Sequence, residues 1–364
     1  MYKKMVRDSL IPYDIYIADK FDDITKRLEH IKKEENSDMF LIYDKSLKED
    51  YKDIIEKIKN NFVKNSFSVK CKEVNKNIHS INEIYEFLIE NAAKNDAILI
   101  SLGGGILGDL VGFVAGTYMR GIRYINIPTT IISQVDSSVG GKVGYNFSDF
   151  KNYIGMFYNP LEVIICIDFI YTLDKKEVLS GFGEIVKYCI IDDKDLLEYF
   201  QINIEHIKKL NKNTMLELVE KCVSIKRKVV SKDFRDKGLR NLLNFGHTVG
   251  HAIEVDSQYN ISHGEAVALG ILVALKISEY KLSLDKKTYS YIEEIYDLIG
   301  MNKYYKINNM DKLIHTIKGD KKNDSSIRFV LINFLGSYEI GVKVEEEDLI
   351  RAIKESIEGD KIYG

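Results

Sequence analysis

What most constrains this chain is an alternation confined to its first half. Six short runs rich in β-branched and aromatic residues, YDIYIA, MFLIY, SFSVKC, DAILISL, RYINIP and LEVIICI, are spaced along it, and residues 48–62 and 81–95 carry the i, i+3, i+4 apolar spacing of amphipathic helices. Strands alternating with helices find their burial in a doubly wound, mostly parallel, Rossmann-like α/β sheet with helices on both faces. From about Lys175 the strand signal fades: residues 196–210, 215–230, 242–254 and 264–280 read as helices, followed by one late β-like run, IRFVLINFL. A boundary near residues 173–176 follows, giving an α/β domain over 1–174 and a mainly α-helical domain over 175–364. The length agrees, because 364 residues exceed what one hydrophobic core usually organises. The tail, residues 353–364, is expected to fray.

Charge and apolar patterning exclude several classes of function. A formal net charge of −3 leaves no basic excess for nucleic acid, so any anion site must be built locally. The longest apolar run, residues 266–275, has ten residues, too few to cross a bilayer. MYKKMVRDSLIPYD carries charges where a signal peptide needs an apolar stretch. Cys71, Cys166, Cys189 and Cys222 are widely separated and form no CxxC pair, which points away from a zinc knuckle or disulfide framework and toward a reducing compartment. A soluble, cytoplasmic protein is expected, with neither nucleic acid nor membrane as partner.

DAILISL runs into GGGILGDLVGFVAGTY, where Gly103, Gly104, Gly105 and Gly108 precede a helical pattern. Glycines at a strand-to-helix turn let backbone N–H groups approach a phosphate at a helix N-terminus, as in dinucleotide binding; the same glycines also serve tight turns and close packing. NFGHTVGHAIEVDSQYNISH, residues 244–263, gathers three of the chain's seven histidines. His247 and His251 share a helix face, and His263 opens the next helix. With Glu184 of GFGEIVKY as a carboxylate ligand and Glu265 as an outer partner, they could form a catalytic zinc site with an open position; elsewhere a helical HxxxH pair is a common surface or core feature. Lys142, Lys151, Lys187, Lys226, Lys321 and Lys322, with Arg120 and Arg240, crowd the same regions, several beside Gly, Asn or Asp in segments with no amphipathic face. Such a cluster suits a small, multiply anionic substrate.

Taken in order, GGGILGDLVGFVAGTYMRG, PTTIISQVDSSVGGKVG, KNYIGMFYNP, GEIVKY, GLRNLLNFGHTVGHAIE and SHGEAVALG, with DKK near Lys321 as a later match, closely resemble the sugar phosphate cyclase family. The resemblance implies an active site in the cleft between the two domains, one NAD and one divalent metal, zinc or cobalt. It implies a redox-neutral reaction on 3-deoxy-arabino-heptulosonate 7-phosphate: a hydroxyl is oxidised, phosphate is eliminated, the ketone is reduced again, and the opened ring recloses by an aldol step. By motif, Glu184, His247 and His263 hold the metal and His251 faces the substrate. Asp136 and Lys187 serve its hydroxyls, Lys226 and Arg240 its carboxylate, and Lys142, Asn152, Asn244 and one of Lys321 or Lys322 its phosphate. Asp136, Lys142, Lys187 and His251 form the catalytic group. Asp44, Gly103, Gly104, Gly105, Asp109, Thr129, Thr130, Thr172 and Leu173 are implied to bind the nucleotide. Arg120 of TYMRG resembles an arginine that reaches a neighbouring subunit's site, which implies a homodimer.

The chain also departs from the family pattern. Many relatives carry a GExxK segment whose Glu and Lys contact the adenosine half of NAD; here the segment reads NKNIHS, with Lys76 in place of the Glu and His79 in place of the Lys. A cation replaces a carboxylate that would accept from ribose hydroxyls, which implies a differently anchored adenosine. Asp174 stands where TLP is usual, and Asp236 where a Glu commonly precedes GLR. The competing readings are a cyclase for another sugar phosphate, a metal-dependent polyol dehydrogenase of related architecture, and an inactive scaffold that kept the fold. Lys226 and Arg240 favour a substrate with a carboxylate.

Overall fold

The computed structural model describes residues 2–6, 12–148, 150–192, 194–319 and 326–358. The chain separates into two units, Met1–Leu173 and Asp174–Gly364. In chain order the first contains β1 (Tyr2–Val6), β2 (Tyr13–Ala18), α1 (Phe21–Glu35), β3 (Met39–Asp44), α2 (Lys52–Asn61), β4 (Asn65–Val69), α3 (Ile78–Glu90), β5 (Ile98–Gly103), α4 (Gly105–Thr117), β6 (Arg123–Pro128), β7 (Lys142–Phe147), β8 (Phe150–Phe157) and β9 (Glu162–Cys166). Seven strands form one sheet in the order β1-β2-β9-β6-β5-β3-β4, parallel except at the β1 edge. Strands β5 and β9 are buried along their whole length, as parallel strands covered on both faces must be. Alternate strand residues serve alternate faces. Leu41, Ile100 and Ile125 meet Ile24 and Leu28 of α1 and Ile55 and Ile58 of α2, while Phe40, Ile42 and Leu99 meet Ile81 and Ile84 of α3 and Leu107 and Val111 of α4.

The order of strands creates a place for a ligand. The chain leaves β3 outward to β4, returns to β5 beside β3, and then proceeds in the opposite direction to β6 and β9. Where the order reverses, the carboxyl ends of neighbouring strands open a crevice. Asp44 ends β3 and Gly103 ends β5 at that point. Strands β7 and β8 stand apart as a two-stranded antiparallel ribbon. They escape a sequence reading because KVGYNF and FKNYIGMF contain glycine and polar residues, and β8 is largely exposed.

The second unit contains α5 (Lys175–Ile191), α6 (Lys194–Ile202), α7 (Ile204–Lys208), α8 (Lys212–Lys232), α9 (His247–Asp256), α10 (His263–Leu282), α11 (Lys286–Ile299), α12 (Met310–Lys318), β10 (Arg328–Phe334), β11 (Ser337–Lys343) and α13 (Glu346–Ile353). The late β-like run pairs with β11 as a hairpin. Asp174 caps α5, its Oδ1 accepting from Glu177 N at 2.8 Å. Residues 242–254 are not one helix: a 3-10 turn, Leu239–Asn244, ends at Phe245, and Gly246 at φ 78° restarts the chain as α9. The tail beyond residue 358 lies outside the described residues.

Helix α10 touches two others backbone to backbone. A Cβ on Gly264 would stand 1.7 Å from Ser180 O of α5, and one on Gly183 would stand 2.0 Å from Gly264 O. On the α9 side, a Cβ on Gly270 would stand 2.0 Å from Gly246 O. None of these neighbours is a flexible side chain, so the helices could only separate. We expect Gly264→Ala to cost about 3 kcal/mol or more in urea unfolding. The control Gly319→Ala, whose Cβ would meet nothing nearer than 3.4 Å, should stay within roughly 0.5 kcal/mol of the parent.

Candidate active site

The contact between Gly183 and Gly264 sets the residues beside each glycine next to one another. Glu184 Oε1 lies 3.1 Å from His263 Nε2 and 3.4 Å from His247 Nε2. Each ring is steered by its other nitrogen. His247 begins α9, and its Nδ1 is 3.1 Å from Phe245 O. A carbonyl only accepts, so Nδ1 carries the proton and Nε2 presents a lone pair. His263 Nδ1 lies 3.4 Å from Glu254 Oε2, which asks for a proton on that nitrogen too. One carboxylate oxygen and two imidazole nitrogens thus converge, and a proton or a cation must hold them together. The ligand atoms of Glu184, His247 and His263 all lie within 4.8 Å of one another; those of His251, Glu254 and His263 form a second such group that shares His263.

The charges in this cluster are strongly coupled. Burial alone would raise the pKa of Glu184, but Lys187, its Nζ 2.5 Å from Oε2, and His247 hold the carboxyl well below its usual range. Both side chains are 1% exposed. Burial pushes His247 down against the pull of Glu184. Burial opposes a charge on His263 as well, but hydrogen bonds to Glu184 and Glu254 outweigh it and raise that imidazole to about 10. Without a metal ion, the proton binding the cluster together therefore resides on His263.

Glu265, expected as the outer partner, instead closes the capping box of α10, accepting from Ser262 N at 3.2 Å and Ser262 Oγ at 2.5 Å. Glu254 occupies the outer position, and its sequence signal is spacing: His247, His251 and Glu254 follow at i, i+4 and i+7 along one helical stripe. His251 is exposed, its ring centre 5.4 Å from that of His247 and 5.9 Å from that of His263. Elsewhere in this unit Lys226 and Arg240 are buried, and Arg240 Nη1 donates to Phe234 O at 2.8 Å. Asp233 shapes the turn before Arg240 by accepting from the backbone N–H groups of Lys237, Gly238 and Arg240. Asp236 lies within that turn at φ 54°. Asn244 Nδ2 donates to Asn241 O at 3.1 Å. Lys321 and Lys322 lie outside the described residues.

In the first unit, Gly104 caps α4 and Gly105 begins it. A Cβ on Gly105 would stand 2.7 Å from Ser137 Oγ, and one on Gly104 3.2 Å from Thr130, so a side chain in this loop would require Ser137 or Thr130 to give way. Thr129 N donates to Gly103 O at 3.0 Å, and Thr130 Oγ1 lies 2.9 Å from Ser133 Oγ. Gly104, Gly105, Asp109, Asn126, Ser137 and Lys142 line one pocket. Asn126 Oδ1 and Ser137 Oγ are buried there without a hydrogen-bond partner, the kind of atoms that a ligand satisfies. Asp136 lies in a π-helical turn, Ser133–Ser137, a geometry frequent at functional sites. Asp44 Oδ1 accepts from Ser46 N at 3.0 Å, and the Thr172 hydroxyl pairs with that of Tyr51 near Leu173, at the end of the unit. Lys151 Nζ is 3.8 Å from Glu73 Oε1. Met119 and Arg120 occupy consecutive left-handed conformations, φ 48° and 69°, in an exposed turn. Of the residues that depart from the family pattern, the two in the NKNIHS segment separate here: His79 is exposed near Glu83 at 3.7 Å, whereas Lys76 is buried with its ammonium between Asp109 and Asn152.

Comparison with known proteins bears on both units. Residues 66–180 match the family model described as 3-dehydroquinate synthase N-terminal, and residues 181–323 the one described as 3-dehydroquinate synthase C-terminal. A 3-dehydroquinate synthase of Clostridium tetani (strain Massachusetts / E88) is 47% identical over 345 residues, covering 95% of this chain and 92% of that protein. Among solved structures, 2-deoxy-scyllo-inosose synthase complexed with carbaglucose-6-phosphate, NAD+ and Co2+ superposes with a TM-score of 0.85 at 22% identity, over 98% of this chain and 100% of the other. The 2-epi-5-epi-valiolone synthase of Streptomyces hygroscopicus subsp. jinggangensis 5008, with NAD+ and Zn2+ bound, does so with a TM-score of 0.85 at 19% identity, over 95% and 97% of the two chains.

The proton on His263 makes a prediction with a definite sign. A raised folded-state pKa contributes stability in full below the unfolded value of 6.5, and that contribution is lost as pH climbs toward about 10. In chelator-treated protein, His263→Gln should therefore destabilise most near pH ~6 and progressively less toward pH ~9.5 in urea unfolding. A destabilisation of the same size at both ends would mean that the proton resides elsewhere.

Proposed function

The chain belongs to the 3-dehydroquinate synthase family, and from that premise we propose how its residues serve the family's reaction. In that reaction a carbon–oxygen lyase converts 3-deoxy-arabino-heptulosonate 7-phosphate to 3-dehydroquinate and phosphate. The observation that carries the reading is the convergence of Glu184, His247 and His263 on one point. A carboxylate with two imidazoles fits a divalent ion of the zinc or cobalt kind, with the Phe245 carbonyl and Glu254 orienting the rings. NAD fits the crevice of the first unit, where Asp44, Gly103, Gly104, Gly105, Asp109, Thr129 and Thr130 would hold it, with Thr172 and Leu173. The unpartnered atoms of Asn126 and Ser137 support that placement, as do the NAD+ and metal bound in the two cyclases of like fold. When bound, the ion acidifies the substrate hydroxyls it touches and NAD takes up and returns one hydride, so the overall reaction is redox-neutral.

The remaining roles fall to side chains. Lys187 and Asp136 orient the hydroxyls, and His251, exposed beside the cluster, moves a proton there. Lys226 and Arg240 are buried cations that answer the substrate carboxylate. The resemblance assigns the phosphate to Lys142, Asn152, Asn244 and one of Lys321 or Lys322, with Lys151 adding positive charge. The leaving group carries its own negative charge, so the enzyme's task is position and countercharge. Arg120, in its strained exposed turn, serves a second copy of the chain, which makes the enzyme a homodimer. No described helix is long and apolar enough to cross a membrane, and we place the enzyme in the cytoplasm. A sugar phosphate without a carboxylate would leave Lys226 and Arg240 without a task.

Incubated with 3-deoxy-arabino-heptulosonate 7-phosphate, NAD and zinc, the purified protein should release phosphate and 3-dehydroquinate in equal amounts with no build-up of NADH. Accumulating NADH would indicate a polyol dehydrogenase, and absence of phosphate would indicate a different sugar phosphate. His263→Ala should lower kcat on the order of a thousandfold or more while leaving the circular dichroism spectrum intact.

Metal affinity gives a separate readout. Glu254→Gln should weaken zinc binding by about 10- to 100-fold in calorimetric titration. Unchanged affinity would remove Glu254 from its orienting role.

A further inference from the structure

Lys76 stands on the turn ahead of α3 and is buried, 5% exposed. Its Nζ lies 2.5 Å from Asp109 Oδ2 on α4 and 2.5 Å from Asn152 Oδ1 on β8. The surrounding backbone locks this arrangement. Asn146 N donates to Lys76 O at 2.8 Å, Asn146 Nδ2 donates to Glu73 Oε1 at 2.8 Å, and Asn152 N donates to Asn146 Oδ1 at 2.8 Å. Asn152 is held at φ 49°, a left-handed conformation that asparagine adopts more readily than most residues.

The chemistry of the contact has a direction. An ammonium has three donors and no acceptor, so the amide of Asn152 must turn its oxygen toward Lys76 and its NH2 away. Asn152 is otherwise exposed, and its NH2 is thereby committed to donating outward. The same ammonium balances Asp109, which lines the pocket containing Gly104, Gly105 and Lys142 and would otherwise repel an anion there. We propose that Lys76 is a positioning residue for phosphate: it orients Asn152 as a donor and offsets the charge of Asp109, and so governs affinity for the phosphate of the substrate. This rests on the reading of Asn152 as a phosphate contact made above. Lys76 touches no reacting atom in this account, so binding of phosphate should change more than turnover.

The test uses the full-length enzyme with its NAD and metal, and the probe is inorganic phosphate, whose equilibrium binding needs no turnover. Lys76→Met should weaken phosphate binding about tenfold or more, the loss expected for one charge-assisted hydrogen bond. The KM for the sugar phosphate should rise by a similar factor, with a smaller fall in kcat, and the loss in NAD affinity, which the exposed charge of Asp109 would bring, should be smaller than the loss for phosphate. Lys76→Arg, which keeps a cation that only donates, should restore most of the phosphate affinity. Combining Lys76→Met with Asn152→Ala should weaken phosphate binding by less than the sum of the two single losses, because part of the lysine's effect passes through that amide and the remainder through Asp109. Should Lys76→Met fail to fold, Lys76→Gln carries the same expectation, since its amide can accept as well as donate. Unchanged phosphate affinity, additive losses in the double variant, or equal losses for NAD and phosphate would overturn the proposal. If the parent bound phosphate but released none from the sugar phosphate, the family reaction would be at fault, and the phosphate ratio between parent and variant would still decide the role of Lys76.

Discussion

The closeness of three helix backbones governs the chemistry of the second unit. Helix α10 runs against α5 and α9 with glycine at the contact points, and the chemically important residues adjoin those glycines: Glu184 follows Gly183, His263 precedes Gly264, and His247 follows Gly246. Any side chain at the crossing would lever the helices apart and spread the carboxylate from the imidazoles. The cluster thus inherits its geometry from backbone contact, the stiffest element a fold offers, and owes little to the rotamers of long side chains. Burial then does the electrical work. With Glu184 and Lys187 both out of water, one carboxylate is held ionised while two imidazoles compete for what it can accept.

The first unit reaches a comparable result by different means. There the reversal of strand order puts the ends of β3 and β5 side by side, and Gly104 and Gly105 of the glycine loop line a pocket with Asp109, Asn126 and Lys142. The β7–β8 ribbon adds Lys142 and Asn152 from outside the sheet. An ion pair from a neighbouring turn, Lys76 with Asp109, joins the ribbon to the helix that follows the loop. A rigid sheet thus provides position, and a small polar network refines it.

Much of this is legible in the sequence, for identifiable reasons. Parallel strands such as ILISLG and EVIIC are buried on both faces and read as continuous apolar runs, so the sheet and the helical second half emerge as expected. The β7–β8 ribbon does not, because a half-exposed strand interrupted by glycine has neither alternation nor a continuous run. The helix break at Phe245 and Gly246 is hidden because a single glycine in an otherwise helical pattern carries no sign of its φ. Glu254 and Glu265 are equally plausible outer partners on composition. The i, i+4, i+7 spacing favours Glu254, and the capping box claims Glu265. Lys76 is visible as an oddity but not as a contact, since its partners lie 33 and 76 residues away along the chain.

The two imidazoles beside Glu184 are steered in unequal ways. His247 leans on a main-chain carbonyl two residues before it, whereas His263 leans on a carboxylate side chain. No substitution can delete a carbonyl, so the orientation of His247 is sheltered from point mutation as long as the turn at Gly246 survives. Glu254 has no such shelter. A lineage drifting through sequence space therefore has one adjustable screw on this cluster, the residue behind His263, while the other ring is set by the path of the chain itself.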